Sequence, residues 1–303
     1  MNAGEASQAA PSHSVFGAWV LASRPKTLFA AVSPVLVGAG VAGAESRFSL
    51  LPALMALLGA LILQVLSNFA NDYFDFKKGT DTDERLGPLR AAASGLLTPS
   101  QMKRGILWTV GAALVPGIYL VYRGGWPIAV LGAAAVICAV WYTAGRWSLG
   151  YLGLGDLFVF VFFGPGAVVG TVYVQSGTAP ALAWIASIPA GFLTVAILVV
   201  NNTRDHQSDR AASKHTLPAR FGPRFGRGEY LALVLASYAT VPILALSGGG
   251  AWTYLAFASI PFAFVAVKDM LTLPCDRRMN KLLADTGRLL FVFCAALAVG
   301  LVL

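Results

Sequence analysis

Apolar residues fall along this chain in long, uninterrupted blocks. Runs free of Asp, Glu, Lys and Arg occupy residues 28–43, 50–69, 105–122, 126–142, 157–174, 181–200, 230–246, 251–267 and 289–303. A helix crosses the hydrocarbon layer in about 17–25 residues, so each run predicts one membrane span. The first and last are short and need flanking residues to complete them. The pattern predicts an all-α polytopic membrane protein with nine transmembrane helices. Residues 1–18 read as a polar tail, and 19–303 as a single transmembrane domain.

Composition sharpens this reading. The 303 residues are 57% hydrophobic and 12% charged, with a mean hydropathy of +0.69. Soluble domains carry about twice that share of charge. With the N-terminus inside, twenty of the 22 Lys and Arg fall on inner loops, leaving Arg47 and Arg123 outside. That asymmetry sets the N-terminus in the cytoplasm, at the cell membrane for a bacterial protein. The net charge of +8 is therefore a topology signal and no argument for nucleic acid. Cys138, Cys275 and Cys294 have no spacing that suggests a disulfide framework or metal knuckle. The histidines, His13, His206 and His215, pair with no Ser or Cys at a useful spacing, which disfavours triad and zinc chemistry.

Two polar knots interrupt the apolar pattern. The first follows the second run: Asn71-Asp-Tyr-Phe-Asp-Phe-Lys-Lys-Gly-Thr-Asp-Thr-Asp-Glu-Arg-Leu-Gly-Pro-Leu-Arg90. Charge next to hydrocarbon needs a solvated loop, a bound ion or both. On a helix Asn71 and Asp75 share a face, and two oxygen donors so placed suit a hard divalent cation such as Mg²⁺. The plainer reading is a solvated tether between helices.

The second knot follows the sixth run, Asn201-Asn-Thr-Arg-Asp-His-Gln-Ser-Asp-Arg210. Asn201, Asp205 and Asp209 recur every four residues, so a continuing helix carries them as one stripe. Both knots follow even-numbered spans and so share the inner side. Two acidic knots facing one cavity would hold two or three metal ions, and nearby Arg and Lys would add a site for a diphosphate.

Elsewhere the expectations are more structural. Arg24 and Lys26 read as interfacial anchors, and Pro34 as a kink in the first span. Thr98-Pro99 marks a helix start. Tyr142 reads as part of an aromatic belt and Asp156 as a helix cap. Gly166 and Gly170 predict a close-packing face, and Phe158, Phe160, Phe162 and Phe163 predict core packing or the shielding of a cation.

Taken together, these stretches resemble the UbiA superfamily of intramembrane aromatic prenyltransferases. Within it, they are most similar to the branch that prenylates 1,4-dihydroxy-2-naphthoate. The carriers are the first knot, Arg85-Leu-Gly-Pro-Leu-Arg, Tyr151-Leu-Gly-Leu-Gly-Asp, Phe162-Phe-Gly-Pro and the second knot. The resemblance implies a helical bundle around a central cavity open to the cytoplasmic side and laterally to lipid. It implies Mg²⁺ held by Asn71, Asp75, Asn201, Asp205 and Asp209. The family's third acid of the first motif falls on Gly79, and Asp81 is the expected substitute. Lys78, Arg85, Arg90, Arg204 and Lys214 are implied for diphosphate oxygens. Tyr142 and Phe162 are implied beside the prenyl cation, and Asp72 and Asp156 as partners of acceptor or proton.

The implied substrates are a polyprenyl diphosphate and an aromatic acceptor, with naphthoate prenylation giving demethylmenaquinone. A 4-hydroxybenzoate-like or homogentisate-like ring is the alternative acceptor. Ser213-Lys-His-Thr-Leu-Pro-Ala-Arg departs from the naphthoate branch's usual pattern and bears on that choice. A cation-coupled transporter is the rival of another class, disfavoured because no acid lies within the nine runs.

Overall fold

The protein is described by a computed structural model covering residues 14–79, 86–145 and 147–303. All regular structure among these residues is helical. Helix α1 (Val15–Ser23) starts where the Ser14 hydroxyl accepts the Gly17 N–H at 3.1 Å. It ends at Arg24, whose φ of 50° is left-handed, and a 3₁₀ turn over Pro25–Thr27 leads into α2 (Phe29–Ala44). The two segments meet at 50°. That bend precedes Pro34, through which α2 continues as a helix. The fixed φ of Pro25 and the left-handed Arg24 turn the chain here.

Helix α3 (Leu50–Lys78) runs unbroken into the first knot and carries Asn71 and Asp75 on its last turns. At about 1.5 Å per residue it spans a bilayer core with its last turns to spare. It stops at Gly79, whose φ of 69° a side chain would strain, with Lys77 and Lys78 favourably placed at the negative end of the dipole. Helix α4 (Pro99–Trp141) starts at the expected Thr98-Pro99 signal. Thr98 N–H donates to Gln101 Oε1 at 2.8 Å, and Gln101 N–H to Thr98 Oγ1 at 3.3 Å. Its 43 residues are interrupted at Gly125, with φ 65° and ψ −154°.

Next come α5 (Gly155–Val161), a π turn over Phe162–Gly166, and α6 (Ala167–Ser176), together one apolar span. Pro165 lacks the N–H that an α-helical ladder needs there. Then follow α7 (Ala181–Arg204), α8 (His206–Ala211), α9 (Leu217–Phe221) and α10 (Pro223–Leu244). A π turn over Ala245–Gly249 and a 3₁₀ segment over Ala251–Ser259 lead into α11 (Ile260–Thr272), and α12 (Met279–Val302) closes the chain.

Seven helices among the described residues are long and apolar enough to cross a membrane, eight if the bent α1–α2 pair counts as one span. The unbroken count takes α4 once, although it covers two of the nine expected runs.

Helix α7 is the buried hub, packed by α2, α5, α6, α10 and α12. Its Ala183, Ala186, Ala190 and Gly191 let neighbours approach. On the α5–α6 span the backbone meets α7 not at Gly166 and Gly170 but at Gly164. A Cβ there would lie 3.0 Å from Ser187 O and 3.3 Å from Gly191 Cα. Gly166 and Gly170 instead face a cavity. A second apolar cluster joins Ala18, Ala22, Phe69, Ala91, Ala92, Leu97 and Met102, and so fixes α1 and the 91–97 segment around the end of α3.

Candidate functional site

A cavity of about 920 Å³ lies within the bundle. Most of its wall is apolar and comes from α3, α4, the Phe162–Gly166 turn and α6, including Leu63, Val110, Leu131, Phe158, Phe162 and Val174. One end is polar. There the ends of α3 and α7 contribute Asn71, Asp75, Asn201 and Asn202, the end of α4 contributes Tyr142 and Thr143, and loops supply Arg90 and Lys214. Residues of two polar knots 130 residues apart in sequence, Asn71 and Asp75 of the first and Asn201 and Asn202 of the second, therefore line one chamber, with Asp205 and Asp209 set behind its wall.

On α3, Asn71 and Asp75 share the cavity-facing side, as their spacing predicts. Thr143 Oγ1 donates to Asn71 Oδ1 at 3.0 Å. Asp75 accepts from Arg90 Nη2 at 2.9 Å and from the Tyr151 hydroxyl at 3.4 Å. The second knot is not one continuous helix. α7 ends at Arg204 and α8 starts at His206, with Asp205 between them. The four-residue spacing survives the break. Asp205 N–H donates to Asn201 O at 3.1 Å and Asp209 N–H to Asp205 O at 2.8 Å.

Tyr151 joins the knots. Its hydroxyl touches Asp75, and its ring has the Lys78 ammonium at 3.7 Å and the Lys214 ammonium at 6.0 Å. Lys214 in turn lies 3.4 Å from Asp209 Oδ1. His215 N–H donates to Tyr151 O at 2.9 Å, which pins the loop after the second knot to the Tyr151 loop. The sequence pointed to this stretch only through its resemblance and gave Tyr151 no role.

Each carboxylate of the two stripes is paired with a base: Asp75 with Arg90, Asp205 with Arg204, and Asp209 with Lys214. Among the described residues no three Asp, Glu, His or Cys side chains converge on one point. The donors still suit Mg²⁺. They are all hard oxygens, and Mg²⁺ commonly takes one or two carboxylates, keeps several waters and completes its shell with substrate phosphates. Burial raises the Asp209 carboxyl's pKa. Lys214 and the Thr216 hydroxyl, at 3.1 Å, pull it back, while Asp205 raises it further.

Of the expected site residues, Asp72, Lys78, Asp156, Arg204, Asp205 and Asp209 lie off the cavity lining. Asp72 is buried and turned from the cavity. Its oxygens accept the Ala91 and Ala92 N–H groups at 3.0 and 3.4 Å, so it anchors the loop and does not meet an acceptor. Arg204 is fully buried and spends its donors on Asp205 (2.7 and 2.6 Å), Asn201 (2.7 Å) and Asn280 (2.6 Å). It organises the knot and does not line the cavity. Lys78 is also off the cavity wall, donating to Ser148 Oγ at 3.1 Å. Asp156 opens α5 outside the lining, with a buried Oδ1 that has no hydrogen-bond partner.

Tyr142 lines the polar end, just beyond the last residue of α4. A Cβ at Gly155 would lie 2.6 Å from its hydroxyl, so only glycine lets it sit there. Burial, then the charges of Asp156, Asp209 and Asp75, push its pKa up, which keeps it a neutral phenol. Arg24, Thr27, Gln64 and Asn68 also line the cavity. Asn68 Nδ2 donates to Ser23 O (2.9 Å) and Thr27 Oγ1 (3.0 Å), tying the bend to α3. Asp81 and Arg85 lie outside the described residues.

Residues 31–302 match the UbiA prenyltransferase family. The chain belongs to this family. It is 38% identical to 1,4-dihydroxy-2-naphthoate octaprenyltransferase of Escherichia coli K12 over 80% of this chain and 82% of that protein. It is 35% identical to the enzyme of that name from Mycobacterium tuberculosis H37Rv, over 93% and 96%. In fold it is similar to a UbiA homologue from Archaeoglobus fulgidus bound to GPP and Mg²⁺, with a TM-score of 0.67, 14% identity and coverage of 94% and 99%. As a UbiA-family chain with several long apolar helices, it is an integral multi-pass membrane protein and a prenyltransferase.

Proposed function

We propose that this chain transfers a polyprenyl group from a polyprenyl diphosphate to 1,4-dihydroxy-2-naphthoate, with loss of the ring carboxylate, to give demethylmenaquinone. The observation that carries this reading is that residues of both polar knots, Asn71 and Asp75 with Asn201 and Asn202, line a single, mostly apolar cavity. The named function of the Escherichia coli and Mycobacterium tuberculosis relatives supports the acceptor.

Mg²⁺, when bound, neutralises the diphosphate and stabilises it as a leaving group. Asn71, Asp75, Asn201, Asp205 and Asp209 are its candidate ligands, with Asp81 added by resemblance, and Arg85 is added by resemblance for the diphosphate. Arg90 and Lys214, both on the cavity wall, are placed for diphosphate oxygens. Lys78 stands behind them across Tyr151. The apolar chamber holds the isoprenoid chain and keeps water from the allylic cation. Phe158 and Phe162 stack at 6.4 Å between centroids on that wall, and Tyr142 adds a neutral ring at the polar end.

Nine crossings follow if α4 counts twice, which its 43 residues and the break at Gly125 support. The distribution of Lys and Arg supports a cytoplasmic N-terminus and a polar cavity end facing the cytoplasm. Helix α4 has almost none of its apolar length fully buried, which supports a lateral route between the cavity and lipid.

The test uses purified protein in detergent with Mg²⁺, a polyprenyl diphosphate and each candidate ring in turn, read by product mass. A product from naphthoate with the carboxylate lost is expected. Turnover only with 4-hydroxybenzoate or homogentisate would move the acceptor, and turnover unchanged in both Asp75→Ala and Asp209→Ala would remove the mechanism.

A further inference from the structure

We infer that Asn280, on the first turn of α12, is the positioning residue that sets the second polar knot against the first. Its Oδ1 accepts from Arg204 Nη1 at 2.6 Å, and its Nδ2 donates to Leu86 O at 2.9 Å, 194 residues away in sequence. The amide's orientation is forced, because a guanidinium only donates and a carbonyl only accepts. Asn280 is thus a two-ended clasp.

On one side is Arg204, which holds Asn201 and both oxygens of Asp205. On the other is the backbone at Leu86, four residues before Arg90, which holds Asp75. The path Asp75–Arg90–Leu86–Asn280–Arg204–Asp205 joins the two half-sites, leaving the cavity wall after Arg90. The inference rests on the reading that both knots grip one metal–diphosphate. A shared ligand requires their oxygens to be held at a fixed separation, and α7 and α3 reach the polar end on separate helices.

Side-chain chemistry restricts the position. Aspartate keeps an acceptor for Arg204 and loses the donor to Leu86. Alanine loses both and leaves a buried guanidinium donor without its partner. Groups that orient metal ligands from behind typically cost about 10- to 100-fold in metal affinity when removed.

The experiment titrates purified wild-type, Asn280→Asp and Asn280→Ala proteins with Mg²⁺ at fixed inorganic pyrophosphate, following the thermal-unfolding midpoint. KM and kcat for the prenyl diphosphate are then measured. Asn280→Ala is expected to raise the Mg²⁺ half-saturation about 10- to 100-fold, with KM rising alongside and kcat falling less. Asn280→Asp is expected to lie between it and wild type. A residue that merely holds α12 would lower the unliganded midpoint and leave the half-saturation unmoved, and that result overturns the inference. If Asn280→Ala does not yield folded protein, Asn280→Asp decides alone, and titration like wild type overturns the clasp. A wild-type protein that binds magnesium pyrophosphate without forming prenylated product strikes the proposed reaction and leaves the clasp to stand on the titration.

Discussion

Arg90 Nη2 lies 2.9 Å from Asp75 Oδ2, with both side chains almost wholly buried at the polar end of the cavity. A base proposed for the diphosphate thus holds a carboxylate proposed for the metal. Loading the site requires exchange: the acid turns to the cation and the base to phosphate oxygens. Arg90→Gln should therefore have opposite effects on the two ligands. A charge-assisted hydrogen bond contributes about 1.5–3 kcal/mol, so the KM for the prenyl diphosphate should rise about tenfold or more. Mg²⁺ added without diphosphate should bind more tightly than to wild type, because one cation competing for Asp75 is removed. Calorimetric titration of each ligand checks both signs, and a common loss in both would contradict the exchange.

Asp209 gives a pH dependence. Burial raises its pKa above the usual 3.8, so its protonated form persists to higher pH than an ordinary aspartate's. Mg²⁺ requires the carboxylate, and protons compete with it. The Mg²⁺ half-saturation should therefore climb as pH falls through the raised pKa, and flatten above it. Asp209→Asn should bind Mg²⁺ more weakly throughout and lose that part of the pH dependence. Mg²⁺ titrations across pH on both proteins separate this effect from protonation of the diphosphate itself, which both would share.

Packing at the hub sets a stability prediction. Gly164 lies against Ser187 O and Gly191 Cα, with both neighbours on the backbone of α7. Backbone cannot swing aside as a side chain can. Gly164→Ala should cost about 1–3 kcal/mol, as overpacking does, and lower the thermal midpoint in detergent. Gly111→Ala, on α4 where an added Cβ meets nothing within 4 Å, is the control and should leave the midpoint level or slightly raised.

The helical architecture and much of the site were legible because hydrocarbon demands long apolar runs and a four-residue spacing survives wherever backbone stays helical. Asn71 and Asp75 sit as their spacing requires. Asp205 and Asp209 keep their spacing although α7 ends at Arg204 and Asp205 sits at the break. Charge alone could not separate the bases that face the cavity from those that organise it. Arg90 and Lys214 line the wall, while Arg204 is locked behind it by Asn280, a partner 76 residues away. Asp72 looked chemical because of its type, yet two backbone N–H groups from a distant turn claim it. Arg24 read as an interfacial anchor until the left-handed turn brought it to the cavity wall. Each of these depends on long-range placement, which spacing within one helix does not carry.

The last prediction concerns the length of the prenyl chain. Gly132, on the second half of α4, lines the cavity, and a Cβ built there meets nothing within 4 Å. A larger side chain therefore enters open space. It also removes the cost of glycine in a helix, about 0.8–1 kcal/mol relative to alanine. Gly132→Phe should fold at least as well as wild type, with its ring filling part of the 920 Å³ chamber. Binding at the polar end should be untouched, because Asn71, Asp75 and Asn201 lie on other helices. The penalty should fall on long donors alone. In competition between geranyl and octaprenyl diphosphates, the ratio of kcat/KM should move toward the short chain, while Mg²⁺ half-saturation stays at the wild-type value. An equal loss for both donors would mean that the apolar chamber near Gly132 is not where the isoprenoid lies.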